Sequence, residues 1–226
     1  MQAQTEQKQL RIIDCGLADY KQILDLQLKL CEQRRTGQIS DTVLIVEHYP
    51  VITLGAHKTA NRLCVSHEQI RTKGIDIVEI RRGGGATAHN PGQVVIYPIL
   101  NLFELRLGVR EYIARLEQIG KSTLEQIGVI SESRNGLPGL WVGGKKIASI
   151  GVHVREGVTS HGIAININND LSIFDLFIPC GLDGVKMTSV FNETGQRHPM
   201  IEVKQKLYPL LIKSLSNEYD ECKTWL

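Results

Sequence analysis

Two β-branched runs, Thr42–Glu47 and Val51–Leu54, are split by the turn-forming pair Tyr49-Pro50. Further along, Val142–Val154 and Thr159–Asn168 read as a hairpin closed around Glu156-Gly157. Strands that follow one another this closely cannot be joined in parallel, because a parallel crossover needs a dozen or more residues. A doubly wound parallel sheet is thereby excluded. The expected class is α+β (mixed α/β): a mixed, largely antiparallel sheet flanked by helices.

Leu10–Asp14, Ile75–Ile80 and Gln93–Ile99 supply further strands. Apolar residues at helical spacing predict a helix over 18–34, with Tyr20, Ile23, Leu24, Leu28 and Cys31 on its stripe. A second helix, about Gly108–Ile127, carries Val109, Tyr112, Ile113, Leu116, Leu124 and Ile127, with Gly120 weakening it. Ser66 and Gln69 form a capping box for a short helix ended by Gly74. A last helix spans roughly Val203–Tyr219, with Pro209 as a kink or a late start.

The chain has 226 residues, 42% of them hydrophobic and 22% charged, enough for an ordinary core without staples. No linker composition divides it, so one domain is expected over 1–226, with a core of about 10–220 and a disordered tail at 1–8. The 26 basic and 24 acidic residues leave neither a nucleic-acid footprint nor a polybasic membrane patch. No apolar run approaches the roughly 20 residues of a membrane span. Cys15, Cys31, Cys64, Cys180 and Cys222 contain no CxxC pair and read as reduced thiols. With a polar N-terminus, a cytoplasmic location is expected.

Three motifs mislead. Gly83-Gly84-Gly85-Ala86-Thr87-Ala88 fits a dinucleotide fingerprint, but Asn90-Pro91-Gly92 breaks the chain where a helix should begin. Gly139–Lys145 fits a phosphate loop, but Lys146 stands where Ser or Thr should bind magnesium. The seven histidines and five cysteines show no zinc-ligand spacing, so no metal is expected.

Three stretches look chemical. Arg82–Gln93 holds three successive glycines between Arg82 and His89, more than a tight turn needs. Phe177-Ile178-Pro179-Cys180-Gly181 sets a thiol at a sharp bend, whereas Cys15, Cys31 and Cys222 sit in or beside apolar runs, as buried thiols do. Strict strand alternation puts Lys146 with Ala148, Ile150, Val152 and Val154, and Lys145 with Ile147, Ser149, Gly151 and His153. Lys146 is then the lysine aimed at an apolar interior, unless it snorkels at a strand end. On the partner strand His161 shares a face with Ile163, Ile165 and Ile167. Gly162 and Ala164 leave room on the other face for a slim acyl tail or for a closely packed neighbour.

Taken in order, Arg82-Gly83-Gly84…Thr87…His89…Pro91-Gly92-Gln93…Tyr97-Pro98, Lys146-Ile147-Ala148…Gly151, His161-Gly162-Ile163-Ala164…Asn166 and Pro179-Cys180-Gly181 resemble the lipoyl(octanoyl) transferases. The resemblance covers about residues 40–190, including an entry strand at Glu47–Gly55. It implies the fold of biotin and lipoate protein ligase catalytic domains. It also implies transfer of octanoyl from octanoyl-acyl carrier protein to a lysine amine of lipoyl domains, in 2-oxoacid dehydrogenases and the glycine cleavage H protein. Cys180 would be the nucleophile and Lys146 its catalytic partner. Arg82, Gly83, Gly84, Gly85, Ala86, Thr87, Ala88 and His89 would border the acyl and pantetheine site. Ser149, Ile150, Gly151, Gly162, Ile163 and Ala164 would line it. No ATP or metal is expected, since the donor carries its own phosphopantetheine thioester. Ala88 replaces a usual aromatic, which would enlarge the site or alter acyl preference, and Asn90 replaces a usual Gly, where Asn tolerates a left-handed turn. The alternatives are an ATP-dependent lipoate–protein ligase of the same fold, a non-catalytic carrier-binding scaffold, and a cysteine hydrolase with His89 or His161 as base.

Overall fold

The computed structural model describes residues 9–216, the side chain of Cys180 excepted. The tail at 1–8, Cys222 and the last turn expected of the C-terminal helix lie outside the described residues.

The chain begins with strand β1 (Arg11–Ala18), longer than its apolar core suggests, and helix α1 (Tyr20–Arg35). Asp19 starts α1 by accepting from the backbone N–H groups of Lys21 and Gln22. β2 (Thr42–His48) and β3 (Val51–Leu54) follow around Tyr49-Pro50. Next come α2 (His67–Thr72), β4 (Asp76–Glu79), β5 (Thr87–His89) and β6 (Gln93–Ile99). Both halves of the Ser66/Gln69 capping box are formed at α2. α3 (Val109–Glu125) and β7 (Glu132–Arg134) lead into a meander of β8 (Leu137–Val142), β9 (Lys145–Arg155) and β10 (Val158–Asn166). α4 (Val190–Thr194) and α5 (Met200–Leu215) complete the described chain.

The run expected as one strand over Val142–Val154 is broken by a turn at Gly143-Gly144. Both residues have positive φ, 52° and 87°, as a tight hairpin turn requires. The Glu156-Gly157 hairpin turn has the same signature, with φ of 51° and 79°. α5 starts at Met200, three residues early, and carries Pro209 in its interior.

Seven strands form one sheet in the order β1-β2-β6-β10-β9-β8-β7, and three form another in the order β4-β3-β5. Among the paired strands of the described residues, β1/β2 and β3/β4 are parallel and the others antiparallel, giving the mixed, largely antiparallel architecture. β2 and β3 are therefore no hairpin: the Tyr49-Pro50 bend hands the chain from the large sheet to the small one.

One face of the large sheet, including Val43, Ile45, Val94, Ile96, Ile163 and Ile165, buries against Leu116 and Ile119 of α3 and Val203, Leu207 and Leu211 of α5. Gly120 is the reason α3 sits so close, because a Cβ there would lie 2.6 Å from Leu140 Cδ1. The opposite face, with Leu44, Val46, Val95, Tyr97 and Ala164, packs on Ile23 and Leu30 of α1. The stripe expected for α1 is displaced: Leu28 is exposed, while Gln27 and Arg34 are buried. Arg34 tolerates burial because its guanidinium donates to Asp41 and, through two nitrogens, to Glu104. The small sheet has its own core of Ile52, Ile70, Ala86, Ala88, Phe174 and Phe177.

Candidate active site

The Arg82–His89 stretch crosses from the end of β4 into β5. Arg82 is buried, with Nη2 donating to the carbonyl and the hydroxyl of Thr53 and Nη1 donating to the Gly83 carbonyl. Its guanidinium thus shapes the glycine loop around itself. The loop meets β9 where the Gly83 N–H donates to the Val152 carbonyl at 2.9 Å.

A narrow slot opens between this loop and the large sheet. It holds about 430 Å³ of space including its mouth. Arg82, Gly83, Gly84, Thr87 and His89 form one wall. Ser149, Ile150 and Gly151 of β9 and Gly162, Ile163 and Ala164 of β10 form another. These eleven sequence-named residues are brought together. Gly85, Ala86 and Ala88 are not on the slot. Ala86 and Ala88 sit in the small-sheet core, so the missing aromatic at Ala88 does not enlarge the slot.

Gly85 has a different task. A Cβ on it would lie 2.4 Å from the Ala60 carbonyl oxygen, and one on Gly181 would lie 2.8 Å from the Ala60 Cβ. The two glycines of two distant motifs thus clasp Ala60, joining the Arg82–His89 loop to the Pro179–Gly181 turn that carries Cys180. Arg62 holds that turn from outside, donating to the Gly181 carbonyl and to Asp183. The Cys180 side chain lies outside the described residues. Cys31 and Cys15 are half-buried, and burial raises both thiols, Cys31 to about 11.

Lys146 is buried and Lys145 is not. Strict alternation names the right lysine for the wrong face. Leu140 pairs with Ala148, but Trp141 pairs with Lys146, so Ile147 is an extra residue in β9. Opposed residues share a face. Lys146 therefore lies with Trp141, its Nζ 5.3 Å from that ring's centroid, on the face of Ser149 and Gly151 and opposite Ala148. The bulge turns Lys146 toward the slot side. Its backbone is fixed by the segment following Cys180: its N–H donates to the Lys186 carbonyl and its carbonyl accepts from Thr188 N–H. Lys145 instead pairs with Glu193 at 2.5 Å.

The partner strand also departs from alternation. His161 has a φ of 57°, a left-handed conformation that swings its ring away from Ile163 and edge-on to Tyr97. Gly162 opens no volume, because a Cβ there would lie 2.2 Å from the Ile96 carbonyl oxygen; close strand packing claims the space.

Sequence reasoning missed the slot's floor. His48 Nδ1 donates to the Ala18 carbonyl, so Nε2 accepts from the Tyr97 hydroxyl at 2.9 Å. Tyr97 is in turn hydrogen-bonded to Tyr20, which stacks on His89 with centroids 5.7 Å apart. Burial keeps all of these neutral: His48 is lowered to about 4, His161 to about 3 and His89 well below its usual value, while Tyr20 rises to about 12. His89, its basicity lowered by burial and its Nδ1 donating to Gln93 Oε1, makes a weak general base. Gln93 donates onward to Asn166, and Asn166 to the Thr188 carbonyl beside Lys146. Asn90 has no positive φ; its amide bridges Asn169 and the Asp170 carbonyl, which is how the chain accommodates it. Tyr97, Gln93 and Asn166 lay inside the quoted motifs. Tyr20 had no signal beyond its place on an apolar stripe.

Comparison with known proteins agrees with this geometry. Residues 19–210 match the signature of the lipoyl protein ligase A/B catalytic domain. An octanoyltransferase of Roseiflexus sp. (strain RS-1) is 41% identical over 88% of this chain and 84% of its own. One of Koribacter versatilis (strain Ellin345) is 36% identical over 96% and 87%. Among solved structures, a bi-partite lipoate protein ligase from Thermoplasma acidophilum superposes with a TM-score of 0.67 at 14% identity, covering 92% of this chain and 84% of that one. A biotin protein ligase from Aquifex aeolicus gives 0.55 at 16%, covering 93% and 73%. The solved structures show a common fold, and the closer relatives narrow the family: this chain is a member of the lipoyl protein ligase A/B catalytic domain family, in its octanoyltransferase branch.

Proposed function

We propose that the protein moves an octanoyl group from octanoyl-acyl carrier protein to a lysine amine of lipoyl domains, through a thioester on Cys180. The observation that carries this reading is a chain of contacts beside one slot: the Arg82–Gly84 loop lines it, Ala60 ties that loop to the Pro179–Gly181 turn, and the segment after that turn hydrogen-bonds the backbone of Lys146.

The Cys180 thiolate attacks the donor's thioester carbonyl. The carbon–sulfur bond to pantetheine breaks, and the departing thiolate takes a proton. Lys146 supplies a cation on the slot side, which favours the thiolate form of a neighbouring thiol. The octanoyl tail lies in the narrow slot, between the glycine loop and the small residues of β9 and β10. Burying its methylenes at about 0.8 kcal/mol each contributes roughly 5 kcal/mol at most. A neutral lysine amine of the lipoyl domain then attacks the acyl-enzyme. An amide forms, Cys180 leaves as thiolate, and the amine gives up its proton. One thioester exchanges for another at little free-energy change, and amide formation draws the sequence forward, so the cycle needs no ATP and no metal. The acceptors are lipoyl domains of 2-oxoacid dehydrogenases and the glycine cleavage H protein. Among the described residues no helix is long and apolar enough to cross a membrane.

The test is to mix the protein with octanoyl-acyl carrier protein without ATP and follow intact mass and peptide mapping. One hydroxylamine-sensitive octanoyl on Cys180 is expected, lost in Cys180→Ala and kept in Cys64→Ala. An unmodified protein, or an acyl group elsewhere, refutes the reading; acylation only with ATP would point to the ligase reaction.

A further inference from the structure

We propose that the His161 ring is the end stop of the acyl slot and sets the length of chain the enzyme accepts. The inference rests on the slot being the acyl site.

A second, larger groove begins where the slot ends. It holds about 1100 Å³ including its mouth. Leu24, Cys31, Ile80 and Val158 give it apolar walls, and Arg35, Arg81 and Arg155 stand at its edge. Among the lining residues only His161 belongs to both spaces. The two spaces share the same helix wall. Tyr20 of α1 faces the slot, and Leu24, one turn on, faces the groove. From Tyr20 to Cys31 the helix rises about 16 Å, so the groove prolongs the slot along α1.

His161 is also held in an unusual way. It is a non-glycine residue in the left-handed region, at a φ of 57°, which costs on the order of 1–3 kcal/mol. Its Nδ1 is buried without a hydrogen-bond partner. Neither feature stabilises the fold. The strain is maintained by the His161 N–H, which donates to the buried Gln27 Oε1 at 2.9 Å, and by the edge-on contact with Tyr97. Together these fix the ring across the passage. An acyl chain that fills the slot meets the imidazole before it reaches the groove, and longer chains are refused by contact with the ring.

The experiment compares octanoyl-, decanoyl- and dodecanoyl-acyl carrier protein as donors for wild type, His161→Gly and His161→Asn. Glycine adopts a φ of 57° freely, so the first variant removes the ring without backbone strain. Asn tolerates that φ and is smaller than His, which keeps the test available if the glycine variant folds poorly. The reading is the ratio of kcat/KM for dodecanoyl to that for octanoyl. It should rise at least about tenfold in His161→Gly, since each methylene admitted or refused shifts selectivity by roughly that factor or more. Asn should give a smaller rise. Adding Cys31→Phe to His161→Gly refills the groove and should bring the ratio back toward wild type. A ratio within about twofold of wild type in both single variants overturns the end-stop assignment. A wild-type protein that no octanoyl donor acylates overturns the acyl-site reading itself, and the end stop with it.

Discussion

A single methyl group should loosen the grip on Ala60 that joins the Arg82–His89 loop to the Pro179–Gly181 turn. At Gly85 a Cβ would lie 2.4 Å from the Ala60 carbonyl oxygen, 2.6 Å from its Cβ and 2.8 Å from its carbonyl carbon. Two of the three are backbone atoms, so no side-chain rotation relieves them, and one loop must move. Overpacking of this kind costs about 1–3 kcal/mol. In a chain of this size each kcal/mol lowers Tm by about 2–4 °C, so at about 2 kcal/mol, the middle of that range, Gly85→Ala should melt about 4–8 °C below wild type. Gly83→Ala is the internal control. Its Cβ would meet only the Val152 carbonyl oxygen at 3.5 Å, an ordinary contact. It should melt within about 2 °C of wild type. The displaced Ala60 also seats Gly181, so Gly85→Ala should slow single-turnover acylation of Cys180 more than any loss of folded protein explains. Ala60→Gly in that background removes the 2.6 Å contact and leaves the 2.4 Å one, so rescue should be partial. Equal melting of the Gly83 and Gly85 variants, or complete rescue by Ala60→Gly, would refute the backbone clash.

Lys146→Ala should abolish octanoyl transfer while Lys145→Ala keeps most of it; reversed effects in a transfer assay would place the bulge elsewhere. Arg82→Lys gives up the fork that donates to Thr53 and Gly83 and should lose about 2 kcal/mol or more of stability, read as an unchanged m with a lower urea midpoint. His48, lowered to about 4, and His161, lowered to about 3, stay neutral in the fold, while their unfolded forms take up protons below about pH 6.5. Stability from these groups is therefore full above pH 6.5 and falls as pH drops toward 4 and then 3. Urea midpoints from pH 7.5 to 4 should decline along that window, with a shallower slope in His48→Asn; an identical slope would show that other groups dominate.

What was legible in the sequence was local. Successive β-branched runs, the Ser66/Gln69 capping box and the Glu156-Gly157 turn depend on neighbours within a few residues, and each forms as read. The ordered motifs also carried the family, because their residue types and order survive without knowledge of contacts. Tertiary structure decided the faces. The extra residue at Ile147 reverses strand alternation, so Lys146 reaches the slot side only because β9 pairs with β8 in a shifted register. The left-handed φ of His161 is imposed by Gln27, 134 residues earlier, and turns its ring toward the slot. Gly162, open on paper, is filled by the Ile96 carbonyl of the adjacent strand. Ala60, which had no signal, joins Gly85 to Gly181. Tyr20, read only as part of an apolar stripe, becomes a slot wall through α1 packing on the sheet. Periodicity reports what a residue prefers along its own strand or helix; which cavity it lines is set by contacts between segments far apart in the chain, and these exist only once the sheets have paired.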